Sequence, residues 1–341
     1  MITRRSHGMK WIALMAAPAM LLVGCAGESG GGESAEGGTI ELTLAHSYNP
    51  DQPQDRCGAQ VIADEIEKAD VGLKIELFPS SQLGGDADRI ASVASGDIDI
   101  DIQGASALGA VYEPISVLDA AYAFDDAAHL AEFMESDASD VVIDGFAEAA
   151  GVYTLGVWSA GARHFTANTP IRTPDDLAGL RIRFPGSPQF LMNAKALGAQ
   201  ATEVAYEELY LALQQGTVEG QENPITNIKS QNLAEVQDYL SLSAHQLNTN
   251  LVIMSSKWND LSEEQQGALT DAVATAVTEV TTCVADDEEA TLEEWRTAGD
   301  WEIVDDVDVD AFQDKAVAYL EETLTGESLE VFEAIRSTSS K

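Results

Sequence analysis

From residue 40 onward, the spacing of apolar positions switches repeatedly between period two and a helical period. Ile40-Glu41-Leu42-Thr43-Leu44-Ala45 alternates and predicts a strand, with His46-Ser47-Tyr48-Asn49-Pro50 as the loop at its C-terminal end. Val61, Ile62 and Ile66 give Cys57 to Ala69 helical periodicity. Leu73 to Phe78 alternates again, and Pro79 to Gly85 breaks it. A helix is expected from Asp86 to Ser95, then a strand with one polar side from Asp97 to Gln103. The same logic returns later: strand Arg181 to Phe184, helix Pro188 to Leu197, helix Tyr206 to Gln215 and strand Val218 to Gln221. Ser262 to Ala298 reads as one long helix with Ala, Val and Leu on its buried stripe. Strands alternating with helices predict an α/β chain with a mainly parallel sheet. About 300 ordered residues exceed what one core supports, so two lobes are expected.

The first residues follow a different rule. Arg4, Arg5 and Lys10 precede an apolar run from Trp11 to Val23, too short for a spanning helix but suited to a secretory signal. The run ends in Leu22-Val23-Gly24-Cys25, which resembles the bacterial lipobox and marks Cys25 for lipidation. Residues 1–24 are expected to be the lipoprotein signal peptide. Residues 25–38, rich in Gly, Ser and Glu, are expected to form a flexible tether with nothing to bury. The expected location is extracytoplasmic, anchored by lipid to the cell membrane.

Charge narrows the partners. The chain has 18 Lys and Arg against 58 Asp and Glu, a formal net charge of -40. Such a surface repels phosphate and excludes nucleic acid as a partner. Basic residues are scarce, yet Arg163, Arg172, Arg181, Arg183 and Lys195 fall close together, and no Lys or Arg separates Arg89 from Arg163. The turn Gly220-Gln221-Glu222-Asn223-Pro224 follows with amide donors. Local salt bridging to Asp175 and Asp176 would explain part of the cluster. An anion site explains more, because guanidinium forks bind carboxylates bidentately and stay charged.

Several motifs fail inspection. Asp97, Asp99 and Asp101 begin like a calcium loop, but Ile102 and Leu108 stand where Gly and Glu are needed. Val157-Trp158-Ser159-Ala160-Gly161 lacks the first glycine of a serine-hydrolase elbow. The five histidines have no metal-ligand spacing, and no glycine loop cradles phosphate. Neither a cofactor nor an enzymatic activity is expected. Cys57 and Cys283 are the cysteines left beside Cys25. In an oxidising compartment they either pair or stay as two buried thiols, and spacing does not decide between these.

Longer motifs then point to a family. Phe78-Pro79-Ser80-Ser81-Gln82-Leu83-Gly84-Gly85-Asp86, Gly96-Asp97-Ile98-Asp99 and Gly161-Ala162-Arg163 resemble TRAP-transporter solute-binding proteins of the dicarboxylate-receptor type. So do the run from Pro170 to Arg183, Gly198-Ala199, and Glu208 to Gly216 leading into Glu219-Gly220-Gln221-Glu222-Asn223-Pro224. The resemblance implies a two-lobe fold like that of periplasmic binding proteins, with hinge strands and a long lobe-spanning helix, closing on its ligand. Lobe I would hold residues 39–160 and 249–290; lobe II would hold 161–248 and 291–341. Cys57 and Cys283 then share a lobe, which favours a disulfide.

The family's carboxylate-binding arginine corresponds to Arg183 and its asparagine partner to Asn223. Arg163 matches a second cleft arginine, and Tyr206 a position able to stack on the ligand. Trp158 is either core or cleft wall, and His46 and Gln103 are candidate contacts at strand ends. Gly104 and Gly186 replace polar residues of some relatives. The implied function is capture of a small organic acid for a permease with a small and a large TRAP membrane subunit. An organic-anion receptor of an ATP-driven uptake system is the alternative.

Overall fold

A computed structural model of the chain describes residues 38–299 and 301–339. The expected signal peptide, the lipidation site Cys25 and, apart from Gly38, the tether lie outside the described residues. The order begins β1 (Ile40–His46), α1 (Gln60–Ala69), β2 (Leu73–Phe78), α2 (Asp86–Ser95), β3 (Ile100–Gly104) and α3 (Ala105–Leu108). It continues with α4 (Ala127–Met134), α5 (Asp140–Ala150), β4 (Tyr153–Ala167), β5 (Arg181–Phe184), α6 (Pro188–Leu197) and β6 (Gln200–Glu203). Then come α7 (Leu209–Gln214), β7 (Gly220–Pro224), α8 (Ile225–Ser230) and β8 (Tyr239–Met254). The long α9 (Glu263–Ala298), β9 (Glu302–Val304), α10 (Val309–Thr323) and α11 (Gly326–Ser337) complete it.

Among the described residues nine strands form one sheet in the order β2-β1-β3-β8-β4-β7-β5-β6, with β9 beside β8. The arrangement divides into two parallel groups. β1 pairs parallel with β2 and β3, and β5 pairs parallel with β6 and β7. The antiparallel strands β4 and β8, of 15 and 16 residues, join the groups. Each is longer than the usual strand of five or six residues, because it serves both halves. Their ladder is interrupted between Ser159 and Ala162, where Gly161 takes φ +98°. A bulge bends its strand and increases the local twist at this point. The result is a two-lobe α/β fold with β4 and β8 as the connecting strands.

Helix α9 forms because its ends and its stripe agree. Ser262 and Gln265 make a reciprocal capping box, and Gly299 closes the helix at φ +70°. Leu269, Ala272, Val273, Ala276, Val280 and Val284 recur at three- and four-residue steps and are buried. They pack in one core with Leu42, Leu44, Ile62, Ile66 and Trp158. Cys57, in a π-helical turn at Gln54–Ala59, is disulfide-bonded to Cys283 of α9 across 226 residues of chain.

Two strand boundaries differ from the sequence reading. β3 starts at Ile100, not Asp97, because the Asp99 carboxylate turns back to accept hydrogen bonds from the Thr43 amide at 2.8 Å and its hydroxyl at 3.1 Å. Nor is one side of β3 solvated: Asp101 is fully buried and bonded to Arg89. β7 starts at Gly220, not Val218, because the Thr217 and Val218 amides still bond to Ala212 at the end of α7. Gly220 itself is required by close approach to β4, since a Cβ there would lie 2.5 Å from the Thr166 carbonyl oxygen.

Candidate ligand-binding site

The C-terminal ends of the parallel strands carry most of the candidate residues, as expected of ligand sites in open α/β sheets. His46 ends β1, Gln103 lies near the end of β3, Arg183 lies near the end of β5, and Asn223 lies near the end of β7. Register aligns Arg183 with Gln221 on β7, two residues from Asn223. Arg163 stands on β4 opposite Pro224 and Gln246.

Arg183 is 2% exposed. Its Nε donates to the Val204 carbonyl at 2.8 Å, which fixes the plane of the guanidinium. Among the described residues it forms no ion pair, and its terminal nitrogens donate to no protein acceptor. Burial pulls its pKa down to about 10, so it stays protonated at neutral pH. Buried charges are normally paired, and this fork has capacity for a bidentate anion.

Arg163 is equally buried but differently employed. Its Nε and Nη2 hold both oxygens of Glu222, Nη2 also meets the Glu222 carbonyl at 2.8 Å, and Nη1 donates to Asn248 at 2.7 Å. Nη2 reaches Asn223 Oδ1 at 3.3 Å, and the guanidinium carbon stands 4.7 Å from the centre of the Phe190 ring. Burial alone would raise the Glu222 pKa, but pairing with Arg163 more than offsets it and holds the carboxyl below its usual range. His245 contacts the same carboxylate at 3.3 Å and stacks on Phe165 with ring centres 4.3 Å apart. Arg163 is thus neutralised inside the protein.

The other candidates divide along the same line. The Asn223 amide nitrogen donates to Gln221 at 2.5 Å. Gln103 donates to Asp101 at 3.2 Å and accepts from the Gly104 amide at 2.9 Å. His46 Nδ1 accepts from the Tyr48 amide at 3.2 Å, while Nε2 lies 3.1 Å from Asp55 without hydrogen-bond alignment. The Trp158 ring packs 3.4 Å from where a Gly58 side chain would begin; it belongs to the core beneath β4, with its indole nitrogen unpartnered. Tyr206 opens a 3-10 turn at Tyr206–Glu208, two residues past the Val204 carbonyl that holds Arg183. Its hydroxyl is buried near Gln52 and Gln231 without alignment to either, and burial raises its pKa to about 12.

Contacts also bridge the two halves in front of these strand ends. Asn49 donates to Ser230 at 2.9 Å, Gln52 to Asn227 at 3.2 Å, and Ser81 to Glu207 at 2.6 Å. Arg89 shapes the loop that supplies Ser81: it bonds the Gly84 carbonyl and Asp86, and behind them the fully buried Asp101. A separate cavity of about 200 Å³ between β4, β8 and α9 is lined by none of the candidate residues.

Sequence reasoning missed the pairing partner of Arg163. Glu222 lies inside the Gly220–Pro224 turn, which the sequence singles out only for its amide donors. The signal was its carboxylate in a turn otherwise made of amides. The bridging residues Gln52 and Asn227 carried no signal, because neutral side chains on separate lobes meet only in three dimensions.

The family model for bacterial extracellular solute-binding protein, family 7, matches residues 44–326. The chain belongs to that family. The sialic acid-binding periplasmic protein SiaP of Vibrio cholerae is 35% identical over 217 residues, covering 63% of this chain and 68% of that protein. The 2,3-diketo-L-gulonate-binding periplasmic protein YiaO of Escherichia coli is 31% identical over 276 residues, covering 80% and 84%. Among solved structures, a TRAP periplasmic solute-binding protein from Roseobacter denitrificans with bound L-galactonate superposes with a TM-score of 0.82 at 28% identity, covering 88% of this chain and 99% of that one. The family's members are extracytoplasmic solute receptors, and the neighbours share the two-lobe architecture.

Proposed function

We propose that this family 7 receptor captures a small organic acid through Arg183 and delivers it to the small and large membrane subunits of a TRAP-type transporter. The carrying observation is the buried Arg183 guanidinium, which has no carboxylate partner among the described residues. A ligand carboxylate would take its two terminal nitrogens, Asn223 would line the same strand-end corner, and Tyr206 would close over it. The likeness to TRAP receptors favours this reading over an ATP-driven organic-anion system. Capture needs no bond-making step, so we read the protein as a receptor and not an enzyme. We further propose that Cys25 carries lipid and holds the receptor at the membrane, and that lobe I comprises 39–160 with 249–290 and lobe II 161–248 with 291–341.

The test is a thermal-shift panel of organic acids, each beside the alcohol or amide of the same skeleton. At least one acid is expected to raise the melting temperature while its neutral counterpart does not. Stabilisation by neutral compounds alone, or by nothing in the panel, would sink the carboxylate reading.

A further inference from the structure

The charges around Arg183 constrain the ligand more tightly than "an organic acid" does. Resting on the receptor reading above, we propose that the site takes a singly charged acid whose remaining polar groups are neutral hydroxyls, not a dicarboxylate.

Arg183 is the buried guanidinium that forms no ion pair among the described residues. Arg163, the other arginine at the strand ends, has its charge cancelled by the two oxygens of Glu222. Arg89 is held between Asp101 and Asp86. His164 is buried with its Nδ1 accepting from the Ala244 amide, and burial pushes its pKa to about 3, so it is neutral at any working pH. Pair by pair, Arg183 is left as the strand-end guanidinium without an ion pair among the described residues. The groups acting most strongly on Arg183 are Glu222, Arg163, Tyr206 and Asp86, which bring two carboxylates and one guanidinium. A second ligand carboxylate would enter that field without a partner, and like charges brought together in a closed site are strongly disfavoured.

What the region offers instead is neutral. The Tyr206 hydroxyl is buried without an aligned partner. Tyr48 donates to Asn250 at 2.8 Å, and Gln52 meets Asn227 across the lobes. The segment that carries Gln52 also carries Gln54, fully buried with neither amide atom bonded. Buried phenol and amide groups without partners are costly unless a ligand satisfies them, and hydroxyls can both donate to and accept from them.

The test compares acids that differ only in the second charge. Calorimetry would measure L-galactonate against galactarate, and monomethyl succinate against succinate. In each pair that binds, the monoanion is expected to bind about 10-fold to 100-fold tighter. Glu222→Gln, which keeps the shape but frees the Arg163 charge, is expected to narrow that gap. A dianion binding as tightly as its monoanionic partner in the wild-type protein overturns the proposal, whatever the variant does. If none of the four binds while other acids of the thermal-shift panel stabilise the protein, this ligand class is wrong and the receptor reading stands. If no acid stabilises it, both fall.

Discussion

Arg163 and Arg183 bring the same side chain to the two strands that flank β7, and both are almost wholly buried. One is held by Glu222, Asn248 and Asn223, and the other by a single carbonyl. Their truncations should therefore diverge in the ligand-free protein. Arg163→Ala strands Glu222 as a buried unpaired charge and is expected to cost about 3–5 kcal/mol. Arg183→Ala removes a buried charge that forms no ion pair among the described residues and is expected to be neutral or to stabilise by about 1 kcal/mol. Urea unfolding of both variants checks this, and an equal loss of stability in the two would refute the assignment of roles. Much of this corner was legible in the sequence, because five basic residues crowd together in an acidic chain. The division of labour was not, since a guanidinium's partner is chosen by strand register: Arg163 on β4 lies opposite β7, which carries Glu222.

At the scale of elements, α9 meets the bulge of β4 at Glu288. Its Oε1 occupies the space that a Gly161 side chain would fill, 2.1 Å from an ideal Cβ, at the bulge of β4. That oxygen is buried without a partner, and Asp125 and Asp126 line the same cavity. Burial raises the Glu288 pKa from 4.5 to about 8. Between those values the folded protein keeps a proton that the unfolded chain has released. Stability should therefore fall as pH rises through that window and level off above it. Glu288→Gln is expected to flatten this dependence and to gain about 1–3 kcal/mol at pH 9. Melting curves at pH 5 and 9 decide it; an unchanged slope in the variant would assign the dependence elsewhere. Alternation and helical spacing predicted about half of the elements, including α9, but named neither of the long strands β4 and β8. They could not place strand ends set by tertiary bonds, such as the Asp99 carboxylate turned onto Thr43.

At the scale of the molecule, the long strands β4 and β8 connect two groups of parallel strands. The contacts Asn49–Ser230, Gln52–Asn227 and Ser81–Glu207 bridge the two groups. An outer surface with a formal net charge of -40 would repel an organic anion at long range, but salt screens that field within about 8–10 Å. Arg183 is itself buried and shielded from solvent, so a captured carboxylate would depend on it directly. The most direct measurement is calorimetric titration of the stabilising acid into the wild-type protein and into Arg183→Ala. The account predicts a 10²–10⁴-fold loss of affinity, about 3–5 kcal/mol, in a variant that still folds. Affinity within about threefold of wild type would contradict it, because the buried guanidinium would then hold no ligand carboxylate.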